Sequence, residues 1–281
     1  MRNQWKSLAV ILLIGGLSGC TDHELTNNVV SQSGLALSPL QEVPQKNSPA
    51  TGTATVSYDK TTRMLTYTLT WKDLTGNPVG SHIHGPAPRG TNAGILHDFT
   101  APLPKTTSGT FTNSVRVDGV NLKEEDLLNG LYYFNIHTPA NPGGEIRGQI
   151  EFYDQPFMVV KKGLPVEGSQ EVPPRTTPAT GSVDVIYNKN TKRLSYFITW
   201  KDLTGNPVGS HIHGTAPRGV NAGVQHDFTA LLPAATSGAV SNSVLVDEVK
   251  IKEMELLNGL YYFNIHTPTY PGGEIRGQIE F

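Results

Sequence analysis

The chain has almost no cysteine. One of its 281 residues is a cysteine, Cys20, so no disulfide can form within the chain and the fold must stand on packing, or on packing plus metal. It also lacks a charge imbalance. Twenty-two basic and 24 acidic side chains give a net charge of −2, which leaves no electrostatic footprint for nucleic acid. The run Leu8–Ile14 is apolar but too short to cross a bilayer as a mature helix. Long helical patterns are missing while 29 glycines and 20 prolines recur, a balance that favours all-β structure rich in turns. No Gly-x-Ser-x-Gly elbow, phosphate loop or candidate nucleophilic cysteine occurs, so no catalytic residue is assigned and enzymatic activity is not the leading expectation.

What is present begins at the N-terminus. Arg2 and Lys6 precede the apolar run, and residues 1–20 read as a cleaved export signal. The segment ends Leu17-Ser18-Gly19-Cys20, which resembles the lipobox of bacterial lipoproteins. That resemblance implies cleavage before Cys20, lipidation of Cys20 and anchoring in the cell envelope by several acyl chains. Thr21 follows in place of Asp, which in a Gram-negative cell would favour the outer membrane. Residues 21–32 are polar and read as a tether, with His23 as a solvated side chain.

The rest of the chain is a tandem duplication. Gln41-Glu42-Val43-Pro44 recurs as Gln170-Glu171-Val172-Pro173, and the offset of 129 positions holds from Gly34/Gly163 to Phe152/Phe281. The expected organisation is one domain over 33–152, a partly apolar linker over 153–162 and a second domain over 163–281, each of ordinary domain size. Apolar residues alternate with a period of two. Ala54, Val56 and Tyr58, then Leu65, Tyr67, Leu69 and Trp71, flank the polar turn at residues 59–63, which is a hairpin signal. A short helix is expected at Lys123–Leu128, ended by Asn129-Gly130. Ile146, Gly148, Ile150 and Phe152 alternate with polar residues in the last strand. The fold expected is two tandem antiparallel Greek-key β-sandwiches.

Eight of the nine histidines obey the same offset. His82, His84, His97 and His137 recur as His211, His213, His226 and His266. Alternation puts His82 and His84 on one strand face and Ile83 on the other, and puts His137 on the face of Tyr133 and Asn135. A His-x-His pair can present two imidazoles to one metal, His97 can close the site from a loop, and His137 joins from another strand. Nitrogen-only sets suit copper or zinc, about one ion per domain, with Asp98 and Asp227 as partners fixing a tautomer. The competing reading is that the histidines lie apart and hydrogen-bond turns. The runs 71–85 and 200–214 are identical while other strands differ between copies, which favours a constraint beyond packing.

Gly-Ser-His-Ile-His-Gly (80–85), Asn-Gly-Leu-Tyr-Tyr-Phe-Asn-Ile-His-Thr (129–138) and Pro-Gly-Gly-Glu-Ile-Arg-Gly-Gln-Ile (142–150) resemble the signature of the chordin-type (CHRD) domain, and all three recur in the second copy. The resemblance implies an extracellular β-sandwich module, found in animals in proteins that regulate growth factors. The histidine order is also similar to that of copper–zinc superoxide dismutase. On that analogy the four histidines are copper ligands and Arg147 guides an anion, although the histidine-rich zinc loop and the cysteine pair are missing. Otherwise Arg147 and Glu145 read as a surface or cross-strand ion pair worth little, and the Arg89-Gly90 and Arg218-Gly219 pairs as turns. The leading expectation is a lipid-anchored metal-binding protein. The rivals are a module holding an extracellular protein or glycan, and a dismutase-like metalloenzyme.

Overall fold

The computed structural model describes residues 28–281; the export signal, Cys20, His23 and residues 21–27 of the tether lie outside the described residues. The first domain packs two four-stranded antiparallel sheets. One contains β1 (Val29–Leu37), β2 (Thr51–Asp59), β3 (Met64–Lys72) and β6 (Gly109–Arg116), in the order β1-β2-β3-β6. The other contains β4 (Gly80–His84), β5 (Ile95–Asp98), β7 (Tyr132–Thr138) and β8 (Asn141–Ile150), in the order β5-β4-β7-β8. The links β3–β4, β5–β6 and β6–β7 pass between sheets, which makes the Greek-key sandwich expected from the alternation. A helical turn, α1 (Glu124–Leu128), precedes β7, and Gly130 closes it at φ +71°, a conformation that favours glycine.

The second domain repeats the plan. It comprises β9 (Met158–Glu167), β10 (Thr180–Asn188), β11 (Arg193–Lys201), β12 (Gly209–Gly214), β13 (Val224–Asp227), β14 (Gly238–Leu245), α2 (Glu253–Leu257), β15 (Tyr261–His266) and β16 (Ile275–Gln278). Two boundaries differ from expectation. Val29–Gln32, assigned to the tether, belong to β1 and pair with Asp59–Val56. Met158–Lys161, assigned to the linker, belong to β9 and pair with β10. In both places a short Val-rich run supplies the first strand of the domain, so its apolar residues are structural.

Period-two patterning decides what is inside. On β3, Leu65, Tyr67, Leu69 and Trp71 are buried while the alternating Thr66 and Thr70 are exposed. Ile83, Phe134, Ile136, Ile146 and Ile150 line the same core from the opposite sheet. Burying one such Leu or Ile contributes about 2 kcal/mol. The second domain has a separate core with the equivalent residues, from Leu194 to Ile279. The sheets of each domain meet along one edge. Ser38 and Arg147 exchange backbone hydrogen bonds of 2.9 and 3.2 Å, and Glu167 pairs with Arg276 at the equivalent place. Gly148 permits this approach, because a Cβ there would stand 2.6 Å from the Ala36 carbonyl.

Glu145 pins the end of the sandwich. Its carboxylate is fully buried and accepts from the Ser48 hydroxyl (2.5 Å), the Thr75 amide and hydroxyl (2.9 Å each) and the Thr138 hydroxyl (2.6 Å). Burial alone would raise its pKa, but these donors hold it below the ordinary 4.5. Glu274 accepts the equivalent hydrogen bonds from Thr177, Thr204 and Thr267. The expected surface ion pair between Glu145 and Arg147 is therefore corrected: both are buried and each has other partners. Glu145→Ala should strand four donors and destabilise the first domain by about 3 kcal/mol or more. Urea unfolding followed by Trp71 fluorescence in a Trp200→Phe background measures this; a loss below about 1 kcal/mol would contradict the role.

Candidate metal centre

Each histidine site lies on the outer face of the β5-β4-β7-β8 sheet, or of its second-domain equivalent. Register sets its membership. His82 pairs with Asn135, His84 with Tyr133, and Gly80 with His137, so the side chains of His82, His84, Tyr133, Asn135 and His137 share one face while Ile83, Phe134 and Ile136 enter the core. One further strand over, Asn135 pairs with Arg147 and Tyr133 with Gln149, which adds these polar residues to the same face.

Three of the four predicted histidines per domain converge. One ring nitrogen from each of His82, His84 and His137 lies within 4.8 Å of the others, and His211, His213 and His266 repeat the arrangement. His82 Nδ1 is 3.1 Å from His137 Nε2, and His211 Nδ1 is 3.0 Å from His266 Nε2. Two nitrogens bound to one ion at about 2.0–2.1 Å stand roughly 3 Å apart, so this pair already has the spacing of neighbouring ligands.

The tautomers follow from the acceptors. His84 Nδ1 faces the Ala93 carbonyl at 3.0 Å, and His137 Nδ1 faces the Pro142 carbonyl at 3.0 Å. A carbonyl only accepts, so both Nδ1 atoms carry protons and both Nε2 atoms present lone pairs. His82 Nδ1 then donates to His137 Nε2. His84 Nε2 is buried with no hydrogen-bond partner among the described residues, as is His213 Nε2. Backbone carbonyls that fix the far nitrogen are the usual support of a ligating histidine.

His97 and His226 do not join these groups. His97 pairs with Ile83 across β4–β5, which turns its ring to the opposite face, where it stacks on Phe99 at 6.2 Å. His226 likewise pairs with Ile212 and lies 3.3 Å from the Tyr196 hydroxyl through Nε2. Asp98 and Asp227 are also displaced from their expected role. They adjoin His82 and His211 at 3.9 and 3.8 Å, beyond hydrogen-bond range, while the carbonyls that fix tautomers act on His84, His137, His213 and His266.

The roles of several site residues escaped the sequence reading. His84 and Tyr133 stack at 5.0 Å with 5° between planes, and the Arg147 guanidinium caps the other side of Tyr133 at 3.5 Å. Arg147 is 1% exposed; it donates to the Thr91 carbonyl and to Asn92 Oδ1, which fixes the loop that supplies Ala93. Glu42 is buried beside it, with Asn135 donating to its carboxyl at 3.3 Å. The identical Gln-Glu-Val-Pro runs were the available signal for Glu42. Arg147 stood out only through the dismutase-like order, which implied a role in guiding anions, and nothing in the sequence signalled its burial against Tyr133.

Electrostatics separate the two kinds of group. Burial, then the neighbouring His137, pushes the His82 pKa down from 6.5 to about 4, and burial also lowers His84, His137, His211, His213 and His266. These imidazoles favour folding above 6.5, and that contribution is lost as pH falls toward 4. Burial pushes Glu42 and Glu171 up from 4.5 to about 7 against the pull of Arg147 and Arg276. Their contribution is present below pH 4.5 and lost as pH rises through 7. Glu42→Gln should therefore stabilise the protein at pH 8 relative to pH 5, by roughly 3 kcal/mol at most. Urea midpoints across that range test it, and parallel profiles for the variant and the parent would contradict it.

The CHRD domain model matches residues 34–150 and 164–279. Among curated proteins, Chordin of Danio rerio is 29% identical over 160 residues, which is 54% of this chain and 17% of that protein. The chain thus corresponds to less than a fifth of that relative's length. No solved structure matches. Two family matches that span both sandwiches, each with its own histidine trio, show that the chain belongs to the CHRD domain family.

Proposed function

We propose that each domain binds one transition-metal ion, copper or zinc, through His82, His84 and His137 or through His211, His213 and His266, and that the protein does so at the cell envelope as a binding or storage protein. The observation that carries this reading is the buried, unpartnered Nε2 of His84 and of His213, aimed at the two other imidazoles of its trio. A buried acceptor without a donor costs about 1–3 kcal/mol, and a bound cation removes that cost. Three neutral nitrogens leave a fourth coordination position for water or a small ligand, as in open three-histidine sites. Such an ion would supply a Lewis-acidic or redox-active centre. The protein's part is to fix the tautomers of His84 and His137, and of His213 and His266, through backbone carbonyls and to keep the imidazoles unprotonated; the proton on His82 Nδ1 or His211 Nδ1 would shift to Nε2 as the ion binds. The export signal and a lipid on Cys20 belong to this reading as the means of retention at the envelope. The dismutase-like alternative gains little, because Arg147 is clamped beneath the 85–94 loop and is not placed to guide anions from solvent.

Purified without a histidine tag and loaded with Cu(II) or Zn(II), the full chain should hold two ions by elemental analysis. His82→Ala with His84→Ala should reduce this to one, and adding His211→Ala with His213→Ala should reduce it to background. His97→Ala should leave two ions bound while lowering stability, since its ring packs on Phe99. Background metal in the loaded parent, or loss of an ion in His97→Ala, would overturn the three-histidine assignment.

A further inference from the structure

The duplicated domains meet through surfaces that are not equivalent, so each domain keeps one half of the same contact. The first domain contributes the loop over its histidine site. The Arg89 guanidinium donates to Ser241 Oγ at 3.3 Å, and the Arg89 carbonyl accepts from Ser243 Oγ at 3.1 Å. Gln45 donates to the Ala239 carbonyl at 2.9 Å. Gly90 packs so closely on Asn242 that a Cβ would stand 2.3 Å from its Oδ1. The second domain contributes β14, the last strand of its sheet. Exposed edge strands invite pairing with other chains, and here the loop covers that edge.

The second domain carries the same loop with none of the described residues docked on it. Arg218 is held as Arg89 is, bidentate to Glu280 at 2.7 and 2.9 Å and bonded to Gln170 at 2.7 Å, where Arg89 uses Glu151 and Gln41. Yet the Arg218 side chain is 49% exposed against 12% for Arg89. A cleft of about 340 Å³ opens beside it, lined by Glu171, Val172, Pro174, Gly219 and Arg276 among others. In the first domain the equivalent surface faces residues 230–233 and Ser241 of the second.

The first domain carries the matching edge. Among the described residues β6 pairs with β3 alone and ends its sheet. Thr110, Thr112 and Ser114, the equivalents of Ala239, Ser241 and Ser243, are exposed. Asn113 is oriented by the Tyr67 hydroxyl at 3.3 Å, as Asn242 is by Tyr196 at 3.2 Å. Both hydroxyl positions and the asparagine are thus in place to receive an arginine loop.

We propose that the partner for both surfaces is a second copy of this chain: the Arg218 loop of one copy docks on β6 of the next and repeats the internal contact between chains. Such a contact is heterologous, so it propagates head to tail and does not close a two-fold dimer. Asp184, whose charge supports Arg89, is replaced by Thr55 in the first domain, so association between chains is weaker than the contact within one. The inference does not depend on metal binding.

Sedimentation velocity of the full chain with Cys20→Ser, in mild detergent and over a concentration series, tests it. The parent should form dimers and longer species as concentration rises. Ser114→Arg on β6, and Arg218→Glu or Pro174→Arg on the loop face, should each give monomers with unchanged circular dichroism. Mixing Ser114→Arg with Arg218→Glu should restore a 1:1 dimer and nothing larger, because each variant retains one intact surface. A parent that stays monomeric at every concentration, association that survives both variants, or a mixture that stays monomeric would overturn the proposal.

Discussion

Arg147 ties the site to the fold. Its backbone forms the hydrogen-bonded seam with Ser38 between the two sheets. Its side chain leaves the outer face and lies flat on Tyr133, which lies flat on His84. Its nitrogens hold the Thr91 carbonyl and Asn92, and Asn92 in turn donates to the Val43 carbonyl at 2.7 Å. A buried guanidinium is costly unless its donors are used and a compensating charge or π-face is near. Here the carbonyl, the amide, the tyrosine ring and the Glu42 carboxyl share that task. The position of the Ala93 carbonyl, and so the tautomer of His84, follows from the loop that this cation anchors.

The arrangement explains why a polar surface sits on the outside of a sandwich sheet without being solvated. The inner face of β4, β7 and β8 carries the core. The outer face would ordinarily be wet in an antiparallel sheet. Two loops, 41–45 and 85–94, cover it, so Glu42, Asn135, Arg147 and Gln149 are buried although they point away from the core. Gln149 donates to the Ala87 and Gly130 carbonyls at 2.8 Å each, and so fastens the covering loop and the end of α1 to the sheet. The covered polar layer accounts both for the neutral imidazoles and for the raised Glu42 pKa.

Much of this was legible in sequence, and for a definite reason. Period-two alternation is a local property, and it placed Leu65–Trp71 inward, His82 and His84 together on one face of their strand, and His137 on the Tyr133 and Asn135 face of its own, without any knowledge of strand order. What alternation does not carry is register between strands. His97 was expected to close the site because it follows a flexible glycine-rich stretch, but its pairing with Ile83 turns it toward Phe99. Asp98 illustrates the same limit, since adjacency in sequence to His97 became adjacency in space to His82. Arg147 and Glu145 were read as surface charges because a strand near a domain end has no sequence mark of the loops that will cover it. The tether and linker were each drawn a few residues too long because Val29-Val30 and Val159-Val160 are too short to show a period by themselves.

The comparison of the two domains separates what the site needs from what the assembly needs. The ring stack, the imidazole spacing and the two carbonyl contacts agree between copies to within about 0.1 Å. Yet the covering loop is docked on a neighbouring strand in one copy and exposed in the other. The trio geometry is therefore set inside each domain, by Arg147 or Arg276 and by strand register, and does not require the domain contact. The Arg89 and Arg218 side chains point the other way from the same loop, to Glu151 or Glu280, and serve the outer surface. One loop thus has two faces with separate constraints: Ala93 and Asn92 inward to the imidazoles and the buried cation, Arg89 and Gly90 outward to a partner strand. Substitutions at Arg89, Gly90 and their equivalents can alter association while leaving the histidine trio intact, because Arg89 and Arg218 bond to Glu151 and Glu280 and to no imidazole.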